Sequence, residues 1–114
     1  MKLRCLIVDD EPLSQEVIEG YVNDAPQLEL VAKCSNALEA AELIRSQPVD
    51  LIFLDINMPK LSGISLVKSL AKPPAVVFIT AYPEFAVEGF EVEAVDYLLK
   101  PCSFERFLKA VSKV

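Results

Sequence analysis

The stretch VDLIFLD, residues 49–55, decides the fold, because an apolar run of strand length ends on a carboxylate at Asp55. Three other apolar runs also end on a polar side chain: LRCLIV (3–8) on Asp9 and Asp10, AVVFI (75–79) on Thr80, and AVDYLL (94–99) on Lys100. In an open parallel sheet, ligands bind outside the carboxyl ends of the strands. If these strands are neighbours, three carboxylates, a hydroxyl and an ammonium converge on one patch. Such a patch can hold a hard divalent cation and a phosphoryl group.

The segments around these runs predict one more strand and five helices. The apolar run Leu28–Ala32 ends without a reactive side chain, which favours an edge strand away from the patch. Pro12 suits a first helical position, and Asn36 and Ser103 suit helix N-caps. Helical periodicity covers residues 12–24, 37–46, 62–71 and 84–93, and a last helix with Phe104, Phe107, Leu108 and Val111 on its apolar face.

Strands that alternate with helices predict an α/β fold with a parallel sheet covered on both faces. Right-handed crossovers with one reversal allow the flavodoxin-like strand order 2-1-3-4-5. In that order Asp9 and Asp55 end neighbouring strands, Thr80 ends the next, and Lys100 lies one strand further. The 114 residues form one domain, 1–114, without a linker or repeat.

Composition excludes several classes of function. The net charge of −6 argues against nucleic-acid binding by this segment, which would need a basic face. With no histidine and no CxxC pair, Cys5, Cys34 and Cys102 predict reduced thiols and no zinc site. The N-terminus has too few apolar residues for a signal peptide, and no run reaches the length of a membrane span. We therefore expect a cytoplasmic protein.

The predicted patch has the chemistry of phosphoryl transfer. Asp9, Asp10 and Asp55 would repel one another unless a cation lay among them, and oxygen-only ligands favour Mg²⁺. Asp55, alone at the tip of the middle strand, is the better nucleophile, and a carboxylate can carry an aspartyl-phosphate. Lys100 and Thr80 would then share the negative charge that develops on the phosphoryl oxygens.

Each of these residues also has an ordinary structural explanation. Asp9 and Asp10 can be helix-cap residues, and Asp55 can belong to a turn. Thr80 can simply end a strand, and Lys100 before Pro101 can be a solvated turn lysine whose peptide bond is either cis or trans. The coincidence at four separate strand ends is what these explanations do not account for.

Four motifs resemble the receiver domain of bacterial two-component response regulators: IVDDEP (7–12), FLDINMP (53–59) with Ser62 and Gly63, ITAY (79–82) and DYLLKP (96–101). The resemblance covers the whole chain. It implies that Asp55 accepts a phosphoryl group from the phosphohistidine of a sensor histidine kinase. It also implies a domain that is not an enzyme beyond catalysing its own phosphorylation and dephosphorylation.

The same resemblance implies a role for each residue at the patch. Asp10 and Asp55 would ligate Mg²⁺ directly, with the backbone carbonyl of Asn57 as a third ligand and Asp9 acting largely through water. Thr80 and Lys100 would bind the phosphoryl oxygens. Tyr97 would be a switch aromatic that turns inward when Thr80 moves towards the phosphoryl group. The side chains at 57 and 82 lie where they can screen attacking water.

The stretch AYPEFAVEGFEV, residues 81–92, is similar to the LytTR group, in which a receiver precedes a β-rich DNA-binding effector. We expect such an effector beyond residue 114; a stand-alone receiver that acts by protein contacts is the alternative. The predicted helix 84–93 is weak, because Gly89 interrupts it. Its glutamates are opposite in sign to Arg106, Lys109 and Lys113. These charges are either solvated or pair across a two-fold axis in a phosphorylation-dependent homodimer.

Two other families fit less well. A haloacid dehalogenase phosphatase also forms an aspartyl-phosphate, but it needs a DxD motif where this chain has Asp9-Asp10-Glu11, and extra helices. A flavin-binding flavodoxin needs a phosphate loop rich in serine, threonine and glycine after the first strand. Acids in that loop would repel the phosphate.

Overall fold

The computed structural model describes residues 2–82 and 93–114. These residues contain five strands and four helices, in the order β1 (Leu3–Val8), α1 (Pro12–Asn23), β2 (Leu28–Cys34), α2 (Ala37–Ser46), β3 (Leu51–Asp55), α3 (Gly63–Ser69), β4 (Ala75–Thr80), β5 (Asp96–Leu99) and the C-terminal helix α4 (Phe104–Val111). The helix predicted over 84–93 lies, apart from Glu93, outside the described residues.

All five strands are parallel and form one sheet in the order β2-β1-β3-β4-β5. The predicted strand order is therefore confirmed, and β2 is an edge strand as expected. Because the order reverses between β1 and β3, the crevice between their carboxyl ends is the expected position of a ligand site.

Alternating side chains of the strands make two cores, one on each face of the sheet. On one face, Ile7 and Phe53 pack with Ile18 of α1 and Phe107 of α4; the rings of Phe53 and Phe107 stack with centroids 4.9 Å apart. On the other face, Phe78 and its neighbours pack with α2 and α3. Each fully buried large side chain contributes on the order of 1.5–3 kcal/mol. The strand ends are thus held by a packed double-sided core.

Several element boundaries differ from the sequence prediction by one or two residues. β2 continues to Cys34, because Val8 pairs with Cys34 and the Asp9 N–H donates to its carbonyl oxygen at 3.0 Å. β3 begins at Leu51, since the preceding Asp50 accepts the Arg4 N–H with its side chain. β5 begins at Asp96, two residues after the predicted start, and α1 ends at Asn23, one residue before the predicted end. α3 ends at Ser69, because the backbone of Leu70 is extended.

The predicted N-caps of α2 and α4 are confirmed. Asn36 accepts the N–H of Glu39, and Ser103 accepts that of Arg106. Cys5 and Cys34 are buried free thiols, and Cys102 is a half-buried one. Within residues 2–82 and 93–114, each helix is too short or too polar to cross a membrane.

Candidate phosphoacceptor site

The polar residues predicted to converge do meet at the carboxyl edge of the sheet. Asp9 follows β1, Asp55 ends β3, Thr80 ends β4, and Lys100 follows β5. Asp9, Asp55 and Thr80 are buried, with exposed fractions of 3%, 4% and 1%. Beside them is a depression of about 200 Å³, whose lining includes Asp10, Asn57 and Tyr82.

Lys100 lies among three carboxylates. Its Nζ atom is 2.6 Å from Glu11 Oε1, 3.0 Å from Asp9 Oδ2 and 3.5 Å from Asp55 Oδ2. The Lys100–Pro101 peptide bond, which the sequence left open, is cis. One ammonium therefore faces three acids, and the cluster keeps an excess of negative charge.

This excess changes the acidity of Asp55. Burial and then the charge of Asp9 raise the pKa of Asp55 to about 7, although Lys100 and the N–H of Asn57 oppose the shift. A contact with the carboxyl group of Asp10 raises it further, which places Asp10 beside Asp55. Burial alone would lower the pKa of Lys100, but its bonds to Glu11 and Asp9 raise it, so the ammonium stays charged.

Glu11 is a member of the cluster that sequence reasoning missed. Carboxylate oxygens of Asp9, Glu11 and Asp55 all lie within 4.8 Å of one another, a spacing that suits a metal ion. Asp10, by contrast, is exposed and does not belong to that group of three. The missed signal is that Glu11 directly follows two acids at a strand end and is long enough to turn back over the patch.

Thr80 and Tyr97 occupy neighbouring strands. The Thr80 hydroxyl oxygen accepts the N–H of Tyr82 at 3.1 Å, which fixes the hydroxyl at the end of β4. Tyr97 is half-buried, and its ring stacks on Phe78 with centroids 5.3 Å apart and planes at 19°. Phe78 and Thr80 are two residues apart on β4, so their side chains lie on the same face of the sheet.

The loop after Asp55 packs tightly under the site. A Cβ atom on Gly63 would clash with the backbone carbonyl oxygen of Asp55, so only glycine fits there. The Gly63 N–H donates to the carbonyl of Ile56 at 3.0 Å, and the Asn57 N–H to Asp55 Oδ1 at 3.2 Å. Lys60 has a φ of 69°, a left-handed conformation that is unfavourable for a side chain.

An apolar groove of about 300 Å³ opens next to the acids. Its lining includes Glu11 and Lys100, which it shares with the site, and two exposed apolar side chains of α1. These two, Leu13 and Val17, are 72% and 43% exposed. The groove therefore joins exposed apolar surface of α1 to two charged side chains of the site, Glu11 and Lys100.

Comparisons with known proteins agree with this geometry. Residues 5–112 match the family model described as "Response regulator receiver domain". The sensory transduction protein LytR of Staphylococcus haemolyticus is 41% identical over 115 residues, which is 98% of this chain and 45% of that protein. The transcriptional regulatory protein BtsR of Escherichia coli K12 is 40% identical over 98% of this chain and 48% of its own length.

A solved structure is similar over the whole fold. The response regulatory domain of protein mrkE from Klebsiella pneumoniae superposes with a TM-score of 0.87 and 39% identity, covering 97% of this chain and 93% of that one. By contrast, this chain spans about half the length of the curated relatives it matches.

Proposed function

This chain belongs to the response regulator receiver domain family, and we propose that Asp55 is the residue on which it accepts a phosphoryl group. One observation carries the proposal. Asp55 is a buried carboxylate at the carboxyl end of β3, the middle strand of the sheet. Asp9 lies beside it, the Lys100 Nζ atom is 3.5 Å from its Oδ2 atom, and Thr80 ends the next strand. A nucleophile, acids for a cation and donors for phosphoryl oxygens are thus assembled on neighbouring strands.

The reaction would be one displacement at phosphorus. A carboxylate oxygen of Asp55 forms the new bond while the P–N bond of a phosphohistidine, or the P–O bond of acetyl phosphate, breaks. Lys100 and the Thr80 hydroxyl donate to the phosphoryl oxygens, where negative charge is concentrated. To do so Lys100 must give up part of its bonding to Glu11 and Asp9, which are its two shortest ion pairs.

The donor set fits Mg²⁺. All the acids offer oxygen ligands, and three carboxylates face a single ammonium, which leaves an excess of negative charge. In our proposal Asp10, Asp55 and the backbone carbonyl of Asn57 hold the ion, and Asp9 acts mainly through water. When bound, Mg²⁺ would supply positive charge to the phosphoryl oxygens. The exposed Glu11 carboxylate is well placed to help recruit the ion.

Phosphorylation with a small-molecule donor tests the assignment. Wild-type protein with acetyl phosphate and Mg²⁺ should gain one phosphoryl group in intact-mass spectra, and Asp55→Asn should gain none. Asp24→Asn, which changes an exposed aspartate, is the matched control and should behave as wild type. Phosphorylation of Asp55→Asn at the wild-type level would refute the assignment. Release of many equivalents of phosphate would indicate a phosphatase instead.

The partner that supplies the phosphoryl group is, in this proposal, a sensor histidine kinase that docks on the groove beside α1. Leu13→Ala should slow transfer from a phosphorylated kinase but leave the acetyl phosphate reaction unchanged. Leu38 of α2 is a matched control, because it is 64% exposed on the opposite face. If Leu13→Ala and Leu38→Ala transfer at the same rate, docking does not use this groove.

The output in this proposal begins at Thr80. When its hydroxyl moves towards the phosphoryl group it leaves Tyr82 N, and Tyr97, whose ring stacks on Phe78, turns inward into the space that Thr80 leaves. The change would then reach a downstream effector, which the similarity to LytTR proteins suggests is a DNA-binding domain. If this route operates, Tyr97→Ala should still be phosphorylated normally at Asp55, but phosphorylation should change the downstream effector less than it does in wild type.

The same route would favour a homodimer through the segment 84–93, β5 and α4. Arg106 and Lys113 are already bonded to Asp96 within the chain, so Lys109, which is exposed on α4, offers the cleaner test. Sedimentation velocity with and without beryllofluoride should show a dimer that Lys109→Glu weakens. An unchanged monomer at tens of micromolar would refute dimerisation of this domain.

A further inference from the structure

The loop that carries the acids lies just beyond the β1–β2 ladder. Regular pairing of these strands ends at Val8 and Cys34, after which the Asp9 N–H donates to the Cys34 carbonyl at 3.0 Å. The Asp9 carbonyl lies past the last residue that β2 offers. Its partner is the side-chain amide of Gln15, whose Nε2 atom is 2.6 Å from it.

The side chain of Gln15 supplies the hydrogen bond that a further residue of β2 would otherwise make. The same Nε2 atom is 3.0 Å from the carbonyl oxygen of Cys34, so one amide bridges the ends of β1 and β2 from the first turn of α1. Its two N–H groups match the two carbonyl oxygens that these strand ends present. Gln15 is half-buried, which shields these bonds from water.

The start of α1 adds little support to the backbone of this loop. Glu11, the N-cap residue of α1, makes no capping bond with its side chain among the described residues, and Pro12 has no N–H to donate. Asp9 accepts the Glu11 N–H at 2.9 Å, so a shift of the Asp9 backbone also moves Glu11. Lys100 holds the side chains of Asp9 and Glu11, whereas Gln15 holds the backbone of the loop against the strand ends.

We propose that Gln15 is a positioning residue for the acid cluster, setting how tightly the site binds a divalent cation. The proposal rests on the metal-dependent function proposed above. Gln15 touches neither the ion nor the phosphoryl group. It acts through the backbone of Asp9, fixing the carboxylates of Asp9, Asp10 and Glu11 towards Asp55.

The test compares Gln15→Met with Gln27→Met. Methionine keeps the length of the side chain but has no N–H; Gln27 is exposed at the other end of β2. In calorimetric titrations Gln15→Met should bind Mg²⁺ roughly 10-fold more weakly, the usual effect of removing a group that orients ligands. Gln27→Met should bind as wild type. At saturating Mg²⁺ the acetyl phosphate rate of Gln15→Met should return to the wild-type rate.

A second measurement needs no metal. Amide exchange of Asp9 and Glu11, both hydrogen-bonded, should be faster in Gln15→Met, and Gln15→Lys should restore protection because it supplies a donor. Unchanged exchange in Gln15→Met would overturn the proposal, whether or not wild type binds Mg²⁺. The proposal would also be overturned if Gln15→Met bound Mg²⁺ with wild-type affinity and differed from wild type only in its stability. Wild type that neither binds Mg²⁺ nor is phosphorylated would instead count against the proposed function.

Discussion

Two clusters of charge lie at different places in this sheet, and they are balanced in opposite ways. At the carboxyl edge, one lysine, Lys100, faces the carboxylates of Asp9, Glu11 and Asp55. At the beginning of β5, one aspartate, Asp96, faces two cations: Arg106 in α4 and Lys113 just beyond that helix. The first cluster has one cation for three acids, and the second has two cations for one acid.

The contacts of Asp96 are those of a structural ion pair. Arg106 donates two parallel bonds to its carboxylate at 2.8 and 2.9 Å, and Lys113 adds a third at 2.9 Å. These bonds, working against burial, hold the pKa of Asp96 well below its usual range. Burial and the charge of Asp9 shift the pKa of Asp55 in the opposite direction, upwards. A buried acid at a strand end whose pKa is raised by burial and by a neighbouring carboxylate is typical of a binding site.

The largest expected effect is a gain in stability when Asp55 is neutralised. Its pKa in the folded protein is about 7, against an ordinary value of 3.8. Because the folded state holds the proton more tightly, wild-type stability should fall as pH rises from about 4 to 7. Without metal at pH 8, Asp55→Asn should therefore raise the free energy of unfolding by up to about 4 kcal/mol.

Urea unfolding at pH 8 and at pH 4.5 measures this difference. The advantage of Asp55→Asn should shrink at the lower pH, where wild-type Asp55 is protonated in the folded state. An equal advantage at both pH values would mean that charge is not its cause.

Neutralising Asp96 should have the opposite sign. Asp96→Asn leaves Arg106 and Lys113 without their carboxylate and should lower the free energy of unfolding by about 2 kcal/mol at pH 7. Because its pKa is depressed in the folded state, this contribution is present above the unfolded pKa and is lost as pH falls through the folded value. The loss should therefore be the same at pH 8 and pH 5. Unfolding of Asp24→Asn provides the baseline, and a change as small as that baseline would contradict the comparison.

The sequence predicted the parts of the site that strand geometry determines. Asp9, Asp55, Thr80 and Lys100 follow or end parallel strands, whose carboxyl ends must lie on one edge of the sheet, so strand order alone brought them together. It did not predict the groups that arrive from helices and loops. The reach of Glu11 depends on how the chain turns after β1, and hydrophobic periodicity carries no information about that turn.

The same reason explains why the sequence did not predict the ion pairs of the other cluster. From the sequence, Arg106 and Lys113 are charges that are either solvated or pair across a two-fold axis. Asp96 lies within the predicted strand 94–99, and the sequence assigned no partner to it. Only the packing of α4 against β5 shows that the three residues bond to one another. Element boundaries shifted for similar reasons, since backbone pairing with a neighbouring strand, rather than composition, ended β2 at Cys34.

Magnesium should distinguish the clusters with a smaller effect. At ten times its dissociation constant, Mg²⁺ should stabilise wild type by about 1.4 kcal/mol through mass action. Asp10→Asn should lose most of that gain, whereas Asp96→Asn should keep it, because the two clusters share no contact in the described residues. Thermal melts with and without millimolar Mg²⁺ provide the measurement. A wild-type melt that Mg²⁺ does not shift would remove the basis for a metal site.

The smallest expected effect concerns backbone strain rather than charge. Lys60, in the loop between Asp55 and α3, has a φ of 69°, and it is the one non-glycine residue in the described ranges with a positive φ. A left-handed conformation costs such a residue about 1–2 kcal/mol, while glycine adds about 0.5–1 kcal/mol of freedom to the unfolded chain. Lys60→Gly should therefore raise the free energy of unfolding by about 0.5 kcal/mol. Lys72→Gly, at an exposed position without positive φ, should lower it by a similar amount. If both glycines destabilise the protein equally, the carboxyl edge carries unbalanced charge but no backbone strain.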